Sequence, residues 1–285
     1  LNGGAVYVPQ TFKEFVMKKI IFQYWNGALP NCSKSSLENI SKYAKRIGAE
    51  HRFDHNQNWA KNTFGDSSIA SYYDAFRPIY DPSFEEYDDV VYMDMDIFAM
   101  DNLSDNIFEQ DVKDIGICEE VSQPYLRSTT TVAGSINAAT DERWASACKK
   151  FTPTVELPRD SKGRLRVFNS GVVYFTASGR LNCRKHFKPF GDYISAMEGM
   201  PRFYKLDQNY ICSAMFDGKI EPTIMNNRWN AQIHYHPTTR EVMDERLGKG
   251  EQGCLVHMQL SGSNDYSDQQ LYNVVNMPPS LWDLP

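Results

Sequence analysis

Apolar positions along the chain fall into two kinds of pattern, short continuous runs and stripes at helical spacing. Residues 20–24 form a run suited to a buried strand, followed by the turn-forming stretch Asn26-Gly27-Ala28-Leu29-Pro30. Ser35-Ser36-Leu37-Glu38 then has capping-box spacing, in which a hydroxyl and a carboxylate cover free backbone N–H groups. Leu37, Ile40, Tyr43, Ala44 and Ile47 share one helical face, and Gly48 stands where a left-handed cap would close the helix. A second strand is expected around His51-Arg52-Phe53. Strand, helix and strand in that order make a βαβ opening, which predicts a mainly parallel sheet.

Residues 68–80 repeat the helical pattern through Ile69, Tyr72, Tyr73, Phe76 and Ile79, with Pro78 expected to weaken or end it. Further strands are expected over 89–93, 115–118 and 167–175, a helix over 205–216 and a short late strand over 255–258. The stretch 122–166 is polar, with Thr129-Thr130-Thr131 and several prolines, and predicts excursions over the sheet. No internal repeat interrupts this order. The pattern predicts a single α/β domain over residues 17–285 with a less regular C-terminal part. Met17-Lys18-Lys19 running into Ile20 looks like a translational start, so residues 1–16 are expected to be an upstream extension or an expression remnant.

Composition narrows the function classes. A length of 285 residues with 41% hydrophobic and 23% charged positions suffices for one substantial core. With 30 basic against 36 acidic residues and no basic stripe, nucleic acid is not an expected partner. An anionic small substrate stays open if a metal ion supplies positive charge. No apolar run is long enough for a transmembrane segment, and residues 1–10 lack the features of a signal peptide. The six scattered cysteines contain no Cys-x-x-Cys pair and read as reduced thiols, which points to a cytoplasmic location. The Asn-x-Ser sequons at Asn31, Asn39 and Asn102 then read as chance.

The candidate chemistry begins at Asp94-Met95-Asp96, directly after the apolar run Val90-Val91-Tyr92-Met93. Residues two apart in extended chain point the same way, so both carboxylates can approach one ion. At the carboxyl end of a strand they stand where open α/β sheets bind ligands. Hard carboxylate oxygens suit Mg²⁺ or Mn²⁺, which can bridge a diphosphate. The tripeptide alone is close to what chance supplies, and solvated strand-end carboxylates are the bland alternative.

Tyr92-Met93-Asp94-Met95-Asp96-Ile97 resembles the Y-x-D-x-D strand end of GT-A glycosyltransferases, especially families 8 and 32. Other pieces of that pattern follow in register. Ile20 to Trp25, including Gln23, Tyr24 and Trp25, resembles their first strand, whose end approaches the nucleotide base. Asp74-Ala75-Phe76-Arg77 resembles the Asp/Arg helix before the Asp-x-Asp strand. Phe168-Asn169-Ser170-Gly171-Val172 is similar to their F-N-[AS]-G-[VI] strand, Leu206-Asp207-Gln208 to their later D-Q helix start, and His257 to their third metal ligand. The resemblance implies a GT-A (Rossmann-like) fold and transfer of a hexose from a nucleotide sugar, UDP-linked, to a carbohydrate or glycan acceptor, with retention. It implies Mn²⁺ or Mg²⁺ on Asp94, Asp96 and His257, donor contacts from Gln23, Tyr24, Trp25, Arg77, Asp94, Asn169 and Ser170, and Asp207 and Gln208 at the reacting carbon. One departure is plain: after His257 the sequence reads Met258-Gln259-Leu260-Ser261-Gly262-Ser263, without the lysine of the family 8 pattern H-x-x-G-x-x-K-P.

Several of these residues have structural alternatives. Arg77 can hold a phosphate or a donor hydroxyl, or pair with Asp74 or Asp81. Asp207 can simply cap its helix. In an inverting reaction it would instead be the base. His257 can be a hydrogen-bonded structural histidine, Tyr24 and Trp25 can be core, and the His234-x-His236 pair lacks a third zinc ligand. A nucleotidyltransferase is the competing enzyme class, although residues 26–32 carry no Arg or Lys for a triphosphate. A non-catalytic sugar-binding module is the remaining alternative.

Overall fold

The computed structural model describes residues 17–65, 68–100, 103–120, 123–129, 135–232 and 253–258. The 1–16 extension, the Asn102 sequon, the His234-x-His236 pair and the chain after Met258 lie outside them. The chain runs β1 (Lys19–Trp25), α1 (Asn31–Arg46), β2 (Glu50–His55), α2 (Trp59–Phe64), a 3₁₀ helix (Ala70–Phe76) and α3 (Arg77–Tyr80). Then come β3 (Asp89–Met93), β4 (Ile97–Ala99), β5 (Ile115–Glu119), α4 (Gln123–Thr129), α5 (Ala138–Phe151), β6 (Phe168–Thr176), α6 (Ala177–His186) and α7 (Phe190–Ala196). A 3₁₀ helix (Arg202–Lys205), α8 (Asp207–Met215), β7 (Pro222–Met225), β8 (Ala231–Gln232) and β9 (Leu255–His257) complete the order.

Six strands form the central sheet in the order β2-β1-β3-β6-β5-β7. β6 is antiparallel to both neighbours, and the remaining pairs are parallel, so the mainly parallel sheet expected from the βαβ opening is present. Alternation along the strands feeds two apolar layers. Ile20, Phe22, Val90, Tyr92, Val173 and Phe175 face one side, under α5 to α8. Ile21, Val91, Met93, Val172 and Tyr174 face the other, under α1 and a small sheet ordered β4-β9-β8. All six cysteines are buried and unpaired. Among the described residues no helix is long and apolar enough to cross a membrane.

Local departures from the sequence pattern have physical reasons. α1 starts at Asn31 behind Pro30, and no capping box forms. Ser36 is buried instead, its hydroxyl donating to the Ile97 carbonyl at 2.7 Å. Gly48 does take the left-handed conformation (φ +70°) that closes α1. Pro78 does not end a helix; it lies in the first turn of α3, where a missing N–H costs nothing. The expected irregular excursions over 122–166 contain the well-formed α5, capped by Asn137, whose Oδ1 accepts the Thr140 N–H at 3.0 Å. The inward residues of α5 are Thr140, Asp141, Trp144 and Cys148, a set without an aliphatic stripe. Asp141 is nonetheless satisfied, by Arg127 at 2.9 Å and the Tyr204 hydroxyl at 2.8 Å.

Candidate functional site

β3 leaves the sheet at Asp94, and the turn from Asp94 to Ile97 is fixed from several sides. The Asp94 N–H donates to the Gly171 carbonyl at 2.8 Å, and the Ile97 N–H closes on the Asp94 carbonyl at 3.2 Å. Gln23, fully buried in β1, donates through Nε2 to the Asp94 carbonyl (3.1 Å) and to Ser36 Oγ (3.3 Å). Its Oε1 lies 3.0 Å from His51 Nε2. Gln23 therefore stands behind the turn, holding it in place.

His257 reaches the turn through strand pairing. β9 runs antiparallel to β4 with His257 opposite Ile97, and the Met258 N–H donates to the Asp96 carbonyl at 3.0 Å. A chain of buried amides then sets the imidazole tautomer. Asn169 donates through Nδ2 to Glu120 Oε1 (2.6 Å), so its Oδ1 accepts from Asn230 Nδ2 (2.9 Å) and the Gly171 N–H (2.8 Å). That orients Asn230 with Oδ1 toward His257 Nδ1, 3.0 Å away. Nδ1 must carry the proton, and Nε2 is left to face the carboxylates. It lies 3.2 Å from Asp96 Oδ1 and 3.8 Å from Asp94 Oδ2.

One ligand atom from each of Asp94, Asp96 and His257 lies within 4.8 Å of the others. Burial, then the Asp96 charge, raises the Asp94 pKa. Burial also disfavours the imidazolium of His257, but Asp96 and Asp94 outweigh it and raise that pKa. The Tyr92 hydroxyl donates to Asp94 Oδ1. Two crowded carboxylates and an imidazole whose Nε2 faces them, a lone pair being available there once that nitrogen gives up its proton, form a donor set that fits a hard divalent cation.

These groups border a cleft of about 720 Å³, a size suited to a small-molecule ligand. Of the candidate site residues, Tyr24, Trp25, Asp94, Asp96, Ser170, Asp207 and Gln208 line it. Asn169 and His257 are buried behind lining residues, Asn169 next to Gln208 and His257 next to Asp96. Ser170 Oγ donates to Asp207 Oδ2 at 2.8 Å, and Asn169 Nδ2 lies 3.3 Å from Gln208 Oε1. Asp207 stands at the first position of α8, one residue past the N-cap Leu206, with its carboxylate toward the first backbone N–H groups of the helix; burial pushes its pKa up to about 6. Arg77 is set apart from the cleft lining. Its guanidinium pairs with Asp54 (2.5 Å) and Asp81 (2.6 Å), while Asp74 accepts from Asn26 (2.8 Å) and the Ala60 N–H (2.7 Å). Asn230 and Glu120 carry no motif and escape a sequence reading, and Ser36, read as part of a capping box, instead supports the turn through Gln23 and the Ile97 carbonyl.

Gly171 is required by close approach. A Cβ there would stand 2.5 Å from His257 Cε1 and 2.6 Å from Nδ1, so Gly171→Ala must displace the imidazole. We expect this variant to fold but to lose roughly ten- to a hundredfold in Mn²⁺ affinity, the scale of a disturbed outer support. Mn²⁺ titration calorimetry measures it, and unchanged affinity would contradict a ligand role for His257.

By sequence, no family model matches the chain, and no curated protein does. Solved structures do match. Mouse xyloside xylosyltransferase 1, apo form, aligns with a TM-score of 0.53 at 13% identity, over 86% of this chain and 98% of that one. An active-site mutant of LgtC aligns at 0.52 and 11%, over 90% and 94%. The bifunctional glycosyltransferase WbbM aligns at 0.53 and 11%, covering 89% of this chain and 47% of its own. At such identities the likeness shows the fold, and the fold is that of the GT-A glycosyltransferases, as the resemblance implied.

Proposed function

We propose that the protein is a divalent-metal-dependent glycosyltransferase, moving a hexose from a nucleotide sugar, UDP-linked in the first instance, to a carbohydrate or glycan acceptor. The observation that carries this reading is the convergence of Asp94, Asp96 and His257 at one cleft with Asp207 and Gln208, on a GT-A fold. An ion held by those three side chains would act as a Lewis acid on the departing diphosphate. Tyr24 and Trp25 offer flat faces to the donor base. Ser170 holds one oxygen of Asp207, and the first backbone N–H groups of α8 also face this carboxylate, which aims it at the position a donor hydroxyl would take. Gln208 is neutral and beside it, suited to a retaining reaction in which it neighbours the anomeric carbon.

The carboxyl of Asp207, beside Gln208 at the cleft, also supports a second reading of the stereochemistry. Its pKa, pushed up to about 6, suits a proton acceptor near neutrality, which would make Asp207 the base of an inverting reaction. NMR of the product anomer decides between the two.

The test of the whole proposal is a panel of nucleotide sugars incubated with and without Mn²⁺. We expect at least one donor to be bound and slowly hydrolysed or transferred only with the ion. If no donor responds to any divalent cation, the proposal fails; pyrophosphate release from a nucleoside triphosphate plus a sugar phosphate would favour a nucleotidyltransferase instead.

A further inference from the structure

The described lining of the cleft carries three carboxylates, Asp94, Asp96 and Asp207, and one cation, Arg202. Asp94 and Asp96 offset the charge of an ion between them. A substrate bringing phosphate into this cleft would therefore find its own negative charge matched among the described lining residues by Arg202 alone.

Arg202 is not committed to the fold. Its guanidinium lies 5.6 Å from the centroid of the Tyr72 ring, and among the described residues no carboxylate holds it. Arg77, Arg127, Arg159 and Arg166, by contrast, are each paired with a carboxylate. The backbone carrying Arg202 is nevertheless tightly held. Its neighbour Phe203 lies under the Arg127 guanidinium (5.2 Å), and the Phe203 carbonyl accepts from Asn209 Nδ2 at 2.9 Å. Tyr204 is fully buried with its hydroxyl on Asp141, and its carbonyl accepts from the Tyr193 hydroxyl at 2.8 Å. The Lys205 carbonyl accepts from the Tyr73 hydroxyl at 2.6 Å. An exposed guanidinium on a pinned segment loses little freedom on binding, and its planar fork suits two oxygens of one anionic group.

We propose that Arg202, steadied against Tyr72, is the anion-binding side chain of the cleft, taking the phosphate or carboxylate oxygens of a substrate, with the donor diphosphate the first such group. This rests on the glycosyltransferase reading and adds to it a residue outside the metal site and its supports. An acidic sugar acceptor offers the same chemistry, and the test separates the two sources.

UDP and uridine, each with Mn²⁺, are titrated into the wild-type protein and into R202Q and R202K. We expect R202Q to weaken UDP roughly ten- to a hundredfold and to leave uridine unchanged, with R202K between. Because Arg202 is exposed and pairs with no described carboxylate, R202Q is expected to fold, which circular dichroism checks. In a second arm, glucuronate and glucose are titrated into the UDP–Mn²⁺ complexes. An unchanged UDP affinity with glucuronate binding lost in R202Q places the anion on the acceptor. Affinities unchanged in both arms overturn the assignment while leaving the glycosyltransferase reading intact. Failure of the wild type to bind UDP with any divalent ion overturns both.

Discussion

Asp96→Asn is expected to remove metal-dependent transfer, lowering turnover by about a hundredfold or more, since disturbing even an outer support of a metal ligand costs about 10- to 100-fold. The substitution keeps the shape of the side chain and the backbone bond from Met258 to Asp96, so the loss would reflect charge at the ion. Thermal unfolding gives an independent readout. An ion present at a hundred times its dissociation constant adds about 2.7 kcal/mol to the native state, on the order of 5 °C here. Wild type should show that rise with Mn²⁺ and Asp96→Asn should not. A variant that still gains stability from Mn²⁺, or still turns over at the wild-type rate, would remove Asp96 from the site.

Asp207→Asn is expected to separate stability from function. Asparagine can still accept the Ser170 hydroxyl, so the local hydrogen bond survives. Burial pushes the Asp207 pKa up to about 6, from an ordinary value of 3.8, which means the folded site prefers the neutral acid. Its contribution to stability is complete below the ordinary value and is lost as pH rises through about 6. Above that, the wild type carries a half-buried carboxylate that asparagine does not. At pH 7.5 the variant should therefore melt roughly a few degrees higher, with the gap closing as pH falls from about 6 toward 4. Transfer should fall by about a hundredfold or more, the scale of a lost acid–base or positioning group. A variant that melts lower at pH 7.5 contradicts the burial argument, and one that stays active contradicts the catalytic assignment.

How much of this could be read from residues alone depends on whether a side chain acts within its own segment. β3 and β6 are buried on both faces, so they stand out as continuous apolar runs, and the polar residues at their ends stand out with them. Asp94, Asp96, Asn169 and Ser170 stand out as candidates for that reason, and Asp207-Gln208 through the order of the motifs. α5 was missed because its inward face is polar and aromatic, and Asp141 becomes affordable to bury only once Arg127 and Tyr204 arrive from elsewhere. Resemblance alone puts Gln23 toward the nucleotide base. Its hold on the Asp94 carbonyl needs β1 and β3 side by side, with His51 on the far strand, and no local spacing announces that. Arg77 shows the reverse case: the pairing with Asp81 was one of its readable alternatives, and that is where the guanidinium lies.

The pairing of β9 with β4 also has a consequence in time. Asp94 and Asp96 are made early and follow a strand that docks beside β1, whereas His257 arrives only after most of the chain has been synthesised. Between those events the turn exists as a crowded acidic pair without its imidazole. An ion taken by these three side chains would thus be captured tightly only at the last stage of assembly, after the long stretch of chain from β4 to β9 has closed, and would reward the finished topology rather than guide its formation.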